Sequence, residues 1–200
     1  MRNVFDSFLE TYDLLKDYSL GCNFKDEHNE IDNVTYPYIC RHIPNEVKNE
    51  VLDKLTALKG SPVENPLMFM RMSPKGVHVP HIVHNVYLMR NVFDSFPVTI
   101  GGGYVIPVSL MLYLNEGKGG TGFYRHKDTG ITYAPKSQEY VDLLVRDQNK
   151  ASAWYRYEQI EMKPNRAVVF DAGLMHAANP VGGFGDSQSN SRIVLTCFFS

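Results

Sequence analysis

The chain has 200 residues, of which 44% are hydrophobic and 12% aromatic, so it can bury one sizeable core and is predicted to form a single domain over residues 1–200. Its 20 basic and 22 acidic residues leave a net charge of -2, which gives no electrostatic basis for binding nucleic acid or an anionic membrane. No stretch approaches the roughly 20 apolar residues of a spanning helix, and the acidic N-terminus is unlike a secretory signal, so we expect a cytoplasmic protein.

The first sixty residues are predicted to hold two amphipathic helices, because apolar residues recur there at helical spacing. The first set comprises Val4, Phe5, Phe8, Leu9, Tyr12 and Leu15, and the second comprises Val47, Val51, Leu55 and Leu58. Pro44 stands where a first-turn proline belongs, and Gly60 where a helix stops. We expect residues 1–60 to form a helical brace packed on one face of the rest of the chain.

From Pro66 onward, short apolar runs broken by Gly, Pro and Asn predict many short strands. The predicted strands cover 67–72, 77–84, 105–114, 121–126, 153–162, 166–170 and 192–199. One more helix is predicted at 137–147, with Ser137 as its N-cap. Helices followed by strands favour a mainly β fold with flanking helices, a sandwich or jelly roll whose core lies in residues 65–200.

The three cysteines, Cys22, Cys40 and Cys197, are widely spaced and odd in number. This pattern favours neither a disulfide framework nor a zinc cluster. It fits a protein of a reducing cytoplasm, and the sequence indicates no oligomeric state.

The octapeptide MRNVFDSF occurs twice, at residues 1–8 and, letter for letter, at 89–96. The surroundings of the two copies differ, so the repeat does not predict a solenoid. Two explanations remain open. One is a recent local duplication inserted between two strands, and the other is an error in the assembly of the sequence.

The C-terminal block, residues 165–200, combines a strand, a histidine, a Gly-rich loop and a strand that begins with Arg192. A neutral imidazole such as that of His176 is a common iron ligand, and an inward-pointing guanidinium can hold a carboxylate. These two residues are therefore a candidate pair of metal ligand and carboxylate-binding cation. A second histidine ligand is available upstream, in a cluster formed by His78, His81 and His84.

The order of the motifs resembles that of the prolyl-hydroxylase-like iron(II)/2-oxoglutarate dioxygenases, particularly their small phage and bacterial members. The motifs are LYLN, GGTGFYRH, NRAVVFD, LMHAANPVGGFG and RIVLTCFF, and the resemblance covers about residues 65–200. It implies a double-stranded β-helix, the jelly roll of cupin-like proteins, with His84 and His176 as metal ligands. It also implies that Arg192 binds the distal carboxylate of 2-oxoglutarate. Tyr113, within LYLN, matches a family position whose hydroxyl helps to hold that carboxylate.

The activity that the resemblance implies uses Fe(II) as cofactor, 2-oxoglutarate as co-substrate and dioxygen as oxidant. The expected substrate is a peptide side chain or a small molecule, which is hydroxylated with release of succinate and CO2. Two histidines and one carboxylate would leave three metal positions for the 2-oxo acid and dioxygen, which explains the choice of residue types.

The carboxylate ligand is missing from its expected place, because the family pattern His-x-Asp or His-x-Glu puts it at Val86. Three explanations remain open. In the first explanation, Asp94 takes over as the ligand. This residue lies in the second copy of the octapeptide and is followed by Ser95. Alternatively, no carboxylate binds, and the protein is catalytically inactive or its sequence corrupted. In the third explanation, Val86 corresponds to the small residue of the 2-oxoglutarate halogenases, which frees a position for chloride.

Each assignment has a structural alternative. A shift of strand register would replace His84 by His81. Arg192 could be an exposed strand-end cation, Tyr113 a core aromatic, and Asp171, close to His176, is expected to cap a turn rather than bind metal. The remaining histidines, predicted to be structural or exposed, are His28, His42, His78 and His126. The alternative functions are a non-catalytic or degenerate β-helix that binds a ligand without turning over oxygen, and a cupin-like metal protein with another reaction.

Overall fold

The computed structural model describes residues 2–29, 34–64, 66–76, 99–100, 103–104, 108–133, 146–147, 150–180 and 183–200. A short 3-10 helix spans Ala151–Ala153. In chain order the other elements are β1 (Arg2–Phe5), α1 (Tyr12–Gly21), β2 (Lys25–Asn29), β3 (Val34–Cys40), α2 (Asn45–Lys59), β4 (Leu67–Ser73), β5 (Thr99–Ile100), β6 (Gly103–Tyr104), β7 (Val108–Tyr113), β8 (Gly120–His126), β9 (Trp154–Glu161), β10 (Ala167–Asp171), β11 (His176–Asn179) and β12 (Arg192–Phe199).

Most of the strands pair into two antiparallel sheets that face each other. The large sheet has the order β1-β10-β7-β12-β4-β3-β2, the small sheet has the order β11-β8-β9, and β5 pairs with β6 in a separate ribbon. The two sheets meet through Phe123 of β8 and Phe170 of β10, whose rings lie edge to face with centroids 5.3 Å apart. This architecture confirms the predicted mainly β fold, in which two layers enclose one interior.

The two helices lie on the outer face of the large sheet, but residues 1–60 are not only the predicted helical brace, because they also contribute β1, β2 and β3 to that sheet. Val47, Val51 and Leu55 of α2 are fully buried and share one apolar cluster with the outward-facing side chains of the large sheet. The helix ends where the sequence indicates: Gly60 adopts a left-handed φ of 75° and donates its N–H to the Thr56 carbonyl. Within the described ranges, neither helix is long and apolar enough to cross a membrane.

The predicted N-terminal helix is wrong for its first residues, which form β1 instead. Val4 pairs with Val168 of β10, so this segment is the edge strand of the large sheet. Asp6 then holds the Arg166 guanidinium, with its Oδ1 2.5 Å from Nε. Helical spacing of apolar residues is a local signal, and here pairing with a distant strand overrides it. The helix begins only at Tyr12.

Other predicted elements divide into three groups. The strands predicted at 67–72, 105–114, 121–126, 153–162, 166–170 and 192–199 correspond to β4, β7, β8, β9, β10 and β12. The predicted strand at 77–84 and nearly all of the predicted helix at 137–147 lie outside the described residues. Six strands of the described residues were not predicted: β1, β2, β3, β5, β6 and β11. Of these, β2 is polar throughout and β3 contains Pro37.

The prediction that the cysteines form no disulfide is wrong for Cys22 and Cys40. Cys22 follows α1 and Cys40 ends β3, and the two are bonded with their Cα atoms 6.8 Å apart. Their proximity arises because both side chains enter the apolar cluster between the helices and the large sheet. Cys197 is free and buried, as its place in β12 requires. Reducing compartments disfavour such bonds, so the cytoplasmic location remains a prediction.

Candidate functional site

Polar side chains from both sheets meet in the interior near the start of β12. Residues of a strand alternate between its two faces, so Arg192 and Val194 point towards the small sheet while Ile193 and Leu195 pack against the helices. We use the term inner site for four buried polar residues that face the space between the sheets. They are Tyr113, Thr121 and Arg192, linked through Tyr113, and His176, whose ring packs on Phe123 and Phe170.

His176 is the first residue of β11 and is only 5% exposed. Its Nδ1 lies 2.7 Å from the Leu174 carbonyl oxygen, which can only accept a hydrogen bond, so Nδ1 carries the proton. Nε2 therefore keeps its lone pair, and none of the described residues forms a hydrogen bond to it. Burial lowers the pKa of His176 to about 4, so the ring is neutral near pH 7, the form that binds metal ions.

The guanidinium of Arg192 is buried, and no carboxylate of the described residues pairs with it. The residue is 3% exposed, and its Nη2 makes one long hydrogen bond of 3.5 Å to the Gly120 carbonyl. Its Nε has no hydrogen-bond partner, and no Asp or Glu in the described part of the chain forms an ion pair with it. Burial lowers the pKa of this group as well. A buried, unpaired cation is costly, and a carboxylate bound here would offset that cost.

Tyr113 places a hydroxyl beside this cation. The side chain is fully buried, its ring centroid lies 6.0 Å from Arg192 Cζ, and its Oη donates to Thr121 Oγ1 at 2.7 Å. Burial raises the pKa of Tyr113 more than the nearby Arg192 charge lowers it, so the hydroxyl stays protonated. Tyr113 is thus both a core aromatic and a polar neighbour of Arg192. Sequence reasoning missed Thr121, because a threonine between two glycines carries no spacing signal.

The predicted metal ligands are only partly described. His84 and Asp94 lie outside the described residues, as does Val86, so these two assignments stay predictions. Within the ranges that are described, no three His, Cys, Asp or Glu side chains are grouped so that they could hold a metal ion. The structure therefore places one predicted ligand, His176, and does not test the other two. The described residues show a neutral imidazole whose Nε2 accepts no hydrogen bond from them, and a buried guanidinium that forms no ion pair with them, and both groups are chemically compatible with the predicted roles.

Asp171 has the turn-capping role predicted for it. Its Oδ1 accepts the backbone N–H of Gly173 at 2.9 Å. Both carboxylate oxygens also accept the Tyr133 hydroxyl, at 2.9 and 2.8 Å. The Asp171 carboxylate accepts all of these hydrogen bonds, and they hold the turn at residues 171–173.

A second buried histidine, His126, lies in a fully partnered cluster. Its Nε2 is 3.2 Å from Asp147 Oδ2, and its Nδ1 is 3.0 Å from Thr129 Oγ1. Arg146 and Lys150 also bind the Asp147 carboxylate, at 2.6 and 3.0 Å. The hydrogen bond from Arg146, with that from Lys150, holds the pKa of Asp147 far below its usual value. We call His126, Thr129 and Asp147 the partnered cluster. The structural role predicted for His126 is confirmed, whereas the distant Asp147 was not foreseen.

Comparison with known proteins gives one match to a family model. Residues 106–199 match the model of a family of unknown function, DUF6445. No curated protein sequence matches this chain.

Three crystal structures have similar folds. A prolyl-4-hydroxylase from Pseudomonas putida has a TM-score of 0.52 and 18% identity, covering 99% of this chain and 91% of that chain. HygX from Streptomyces hygroscopicus, with nickel, 2-oxoglutarate and hygromycin B bound, has a TM-score of 0.49 and 9% identity. The match covers 100% of this chain and 82% of HygX. AviO1 from Streptomyces viridochromogenes Tue57 has a TM-score of 0.44 and 14% identity, and the match covers 88% of this chain and 73% of AviO1. The first similarity confirms the predicted jelly-roll fold class, and at such low identity it shows the fold alone.

Proposed function

We propose that this protein is an Fe(II)- and 2-oxoglutarate-dependent dioxygenase that hydroxylates a peptide side chain or a small molecule, with release of succinate and CO2. The observation that carries the proposal is Arg192, a buried guanidinium beside the Tyr113 hydroxyl that forms no ion pair with a carboxylate among the described residues. The likeness of the whole fold to that of a prolyl-4-hydroxylase supports the same class of reaction.

Arg192 binds the distal carboxylate of 2-oxoglutarate in this proposal. A guanidinium donates two parallel hydrogen bonds to a carboxylate, and a hydrogen bond to a charged group contributes roughly 1.5–3 kcal/mol. The Tyr113 hydroxyl can turn from Thr121 to the same carboxylate, because it remains protonated in this buried place. The co-substrate thereby supplies a counter-charge that Arg192 does not find among the described residues.

His176 binds the iron through Nε2, the nitrogen that the Leu174 carbonyl leaves free. We propose His84 and Asp94 as the other two protein ligands, which would complete a set of two histidines and one carboxylate. The iron, when bound, supplies the activation of dioxygen and the oxidation chemistry. The chain holds and orients the reactants, and the rings of Phe170 and Phe123 beside His176 exclude water from that side.

An anaerobic titration tests the proposal. Fe(II) and 2-oxoglutarate added together to the purified protein should produce the visible charge-transfer absorption of a chelated 2-oxo acid, and admission of air should yield succinate. If neither the absorption nor succinate forms, the dioxygenase proposal is wrong.

The third ligand is tested by a matched pair of variants. Asp6 and Asp94 occupy the same position in the two copies of MRNVFDSF, and Asp6 is bound to Arg166 on the protein surface. Asp94→Ala should abolish iron binding, whereas Asp6→Ala should leave iron affinity unchanged. Full iron affinity in Asp94→Ala would reject Asp94 as the ligand.

A second candidate function is a degenerate β-helix that binds 2-oxoglutarate or a related dicarboxylate without turnover. The observation that favours it is Val86, which stands where the carboxylate ligand is expected. This alternative predicts that 2-oxoglutarate binds in a manner that requires Arg192, with no iron-dependent absorption and no succinate.

A further inference from the structure

The turn that leads into His176 is held by a side chain from another part of the chain. Tyr133 follows β8, and its hydroxyl donates to both oxygens of the Asp171 carboxylate, at 2.9 and 2.8 Å. The same carboxylate accepts the backbone N–H of Gly173. We call residues 171–175, together with these contacts, the braced turn.

Backbone contacts with residues 132 and 133 also hold the braced turn in place. The Met175 N–H donates to the Thr132 carbonyl at 2.9 Å, and Tyr133 and Leu174 form an isolated antiparallel bridge. Gly173 lies so close to the Tyr133 ring that an added Cβ would overlap it. Glycine is therefore needed here for close approach, and ring, carboxylate and backbone form one packed unit.

The braced turn contains the carbonyl that sets the state of His176. Leu174 O accepts the Nδ1–H of His176 at 2.7 Å, which leaves Nε2 unprotonated. A ligating histidine depends on such a hydrogen bond at its other nitrogen for its tautomer and orientation. We propose that Tyr133, acting through Asp171, is a positioning residue for His176: it holds the Leu174 carbonyl so that Nδ1 keeps the proton and Nε2 is free to bind iron.

The electrostatics of the contact agree with this role. Burial raises the pKa of Tyr133, and the hydrogen bond to Asp171 and the charge of that carboxylate raise it further, so the hydroxyl remains a donor at physiological pH. Asp171 uses both oxygens to accept from Tyr133, and Oδ1 also accepts from Gly173. The carboxylate acts here as an acceptor, a function that an amide oxygen can share.

Three variants and one control test the inference, which rests on the proposed function where iron is concerned. Tyr133→Phe removes only the hydroxyl, Asp171→Ala removes the acceptor, and Asp171→Asn keeps an acceptor oxygen while removing the charge. The control is Tyr124→Phe, which removes the hydroxyl of another tyrosine, one whose side chain is buried and whose hydroxyl bonds to Arg156.

Two readouts are needed. NMR of the His176 ring nitrogens in the metal-free protein should show a single Nδ1–H tautomer in the wild type and a mixture in Tyr133→Phe and Asp171→Ala. The dissociation constant for Fe(II), measured anaerobically, should rise about tenfold or more in those two variants. Asp171→Asn should stay within about threefold of the wild type, and Tyr124→Phe should not differ from it.

Two results would overturn the inference. The first is an unchanged tautomer and unchanged iron affinity in Tyr133→Phe. The second is a loss in Asp171→Asn as large as that in Asp171→Ala, since charge rather than position would then matter. If the wild type binds no iron, the proposed function fails, and the ring-nitrogen signals still decide whether Tyr133 positions His176.

Discussion

Two buried histidines on neighbouring strands of the small sheet differ in what surrounds them. His126 on β8 has a partner at each ring nitrogen, Asp147 at one and Thr129 at the other. His176 on β11 has one nitrogen bound to the Leu174 carbonyl, and the other has no partner within the described part of the chain. Burying a polar group without a partner costs free energy, so complete pairing indicates a structural role and incomplete pairing indicates a group kept for a ligand.

Disruption of the partnered cluster should cause the greatest loss of stability. Asp147→Ala leaves the buried Nε2 of His126 without its carboxylate partner, and loss of a buried hydrogen bond to a charged group costs roughly 1.5–3 kcal/mol. We expect the free energy of unfolding to fall by about 3 kcal/mol, measured by urea unfolding, with 2-oxoglutarate affinity unchanged. Asp17→Ala on the exposed side of α1 is the control and should change stability by less than about 0.5 kcal/mol. A stable Asp147→Ala variant would contradict the structural role.

The next effect concerns pH in the metal-free protein. Burial lowers the pKa of His176 to about 4 in the folded chain, from about 6.5 for an exposed histidine. The folded state thus binds fewer protons, and stability falls as pH drops from 6.5 towards 4. The loss is at most about 3 kcal/mol, at about 1.4 kcal/mol per pKa unit. Urea unfolding at several pH values should show this slope, and His176→Gln should flatten it. An equal slope in both proteins would contradict the burial of a neutral ring.

Replacement of Arg192 should change the stability of the ligand-free protein less, and in the direction of higher stability. Arg192→Met replaces a buried cation, which forms no ion pair within the described ranges, by an apolar side chain of similar length. The ligand-free protein should therefore be as stable as the wild type or more stable by about 1–2 kcal/mol. Arg166→Met is the contrast, because Arg166 is paired with Asp6 and its loss should lower stability by about 0.5–1 kcal/mol. Thermal unfolding of both variants measures the difference. A strongly destabilised Arg192→Met variant would show that the cation has a structural partner.

The smallest effect is expected at Tyr113. Tyr113→Phe keeps the buried ring and removes the hydroxyl, which is worth about 1 kcal/mol as one hydrogen bond to 2-oxoglutarate. The dissociation constant of 2-oxoglutarate should rise about fivefold, measured by calorimetry. Unchanged affinity would assign Tyr113 to the core alone.

The features that sequence predicted well have local signals. The apolar spacing and terminal glycine of α2 and the apolar run of β12 lie within single elements, so periodicity and turn residues suffice. The edge strand β1 was mistaken for a helix because its partner, β10, is more than 160 residues away in the chain. The Cys22–Cys40 bond was missed because it depends on how the end of α1 and the end of β3 come together in the fold, which the spacing of the cysteines does not indicate.

The inner site was only partly predictable. His176 and Arg192 were predicted from their residue types and positions, and Tyr113 from a resemblance in motif order. Their burial, and the lack of an ion pair between Arg192 and the described residues, emerge only from the fold. The bracing of His176 by Tyr133 joins residues 43 positions apart, a separation with no sequence signature. Non-local contacts of this kind explain why supporting residues escape single-sequence reasoning.

We propose that Arg192 binds the distal carboxylate of 2-oxoglutarate. Calorimetric titration of 2-oxoglutarate into the anaerobic, iron-loaded protein is the decisive measurement of this contact. The wild type should bind, and Arg192→Met should bind about 30- to 100-fold more weakly, as expected for the loss of a charge-assisted contact. Arg125→Met, at an exposed arginine of β8 stacked on Tyr155, should keep the wild-type affinity. Equal affinity of Arg192→Met and the wild type would contradict the claim.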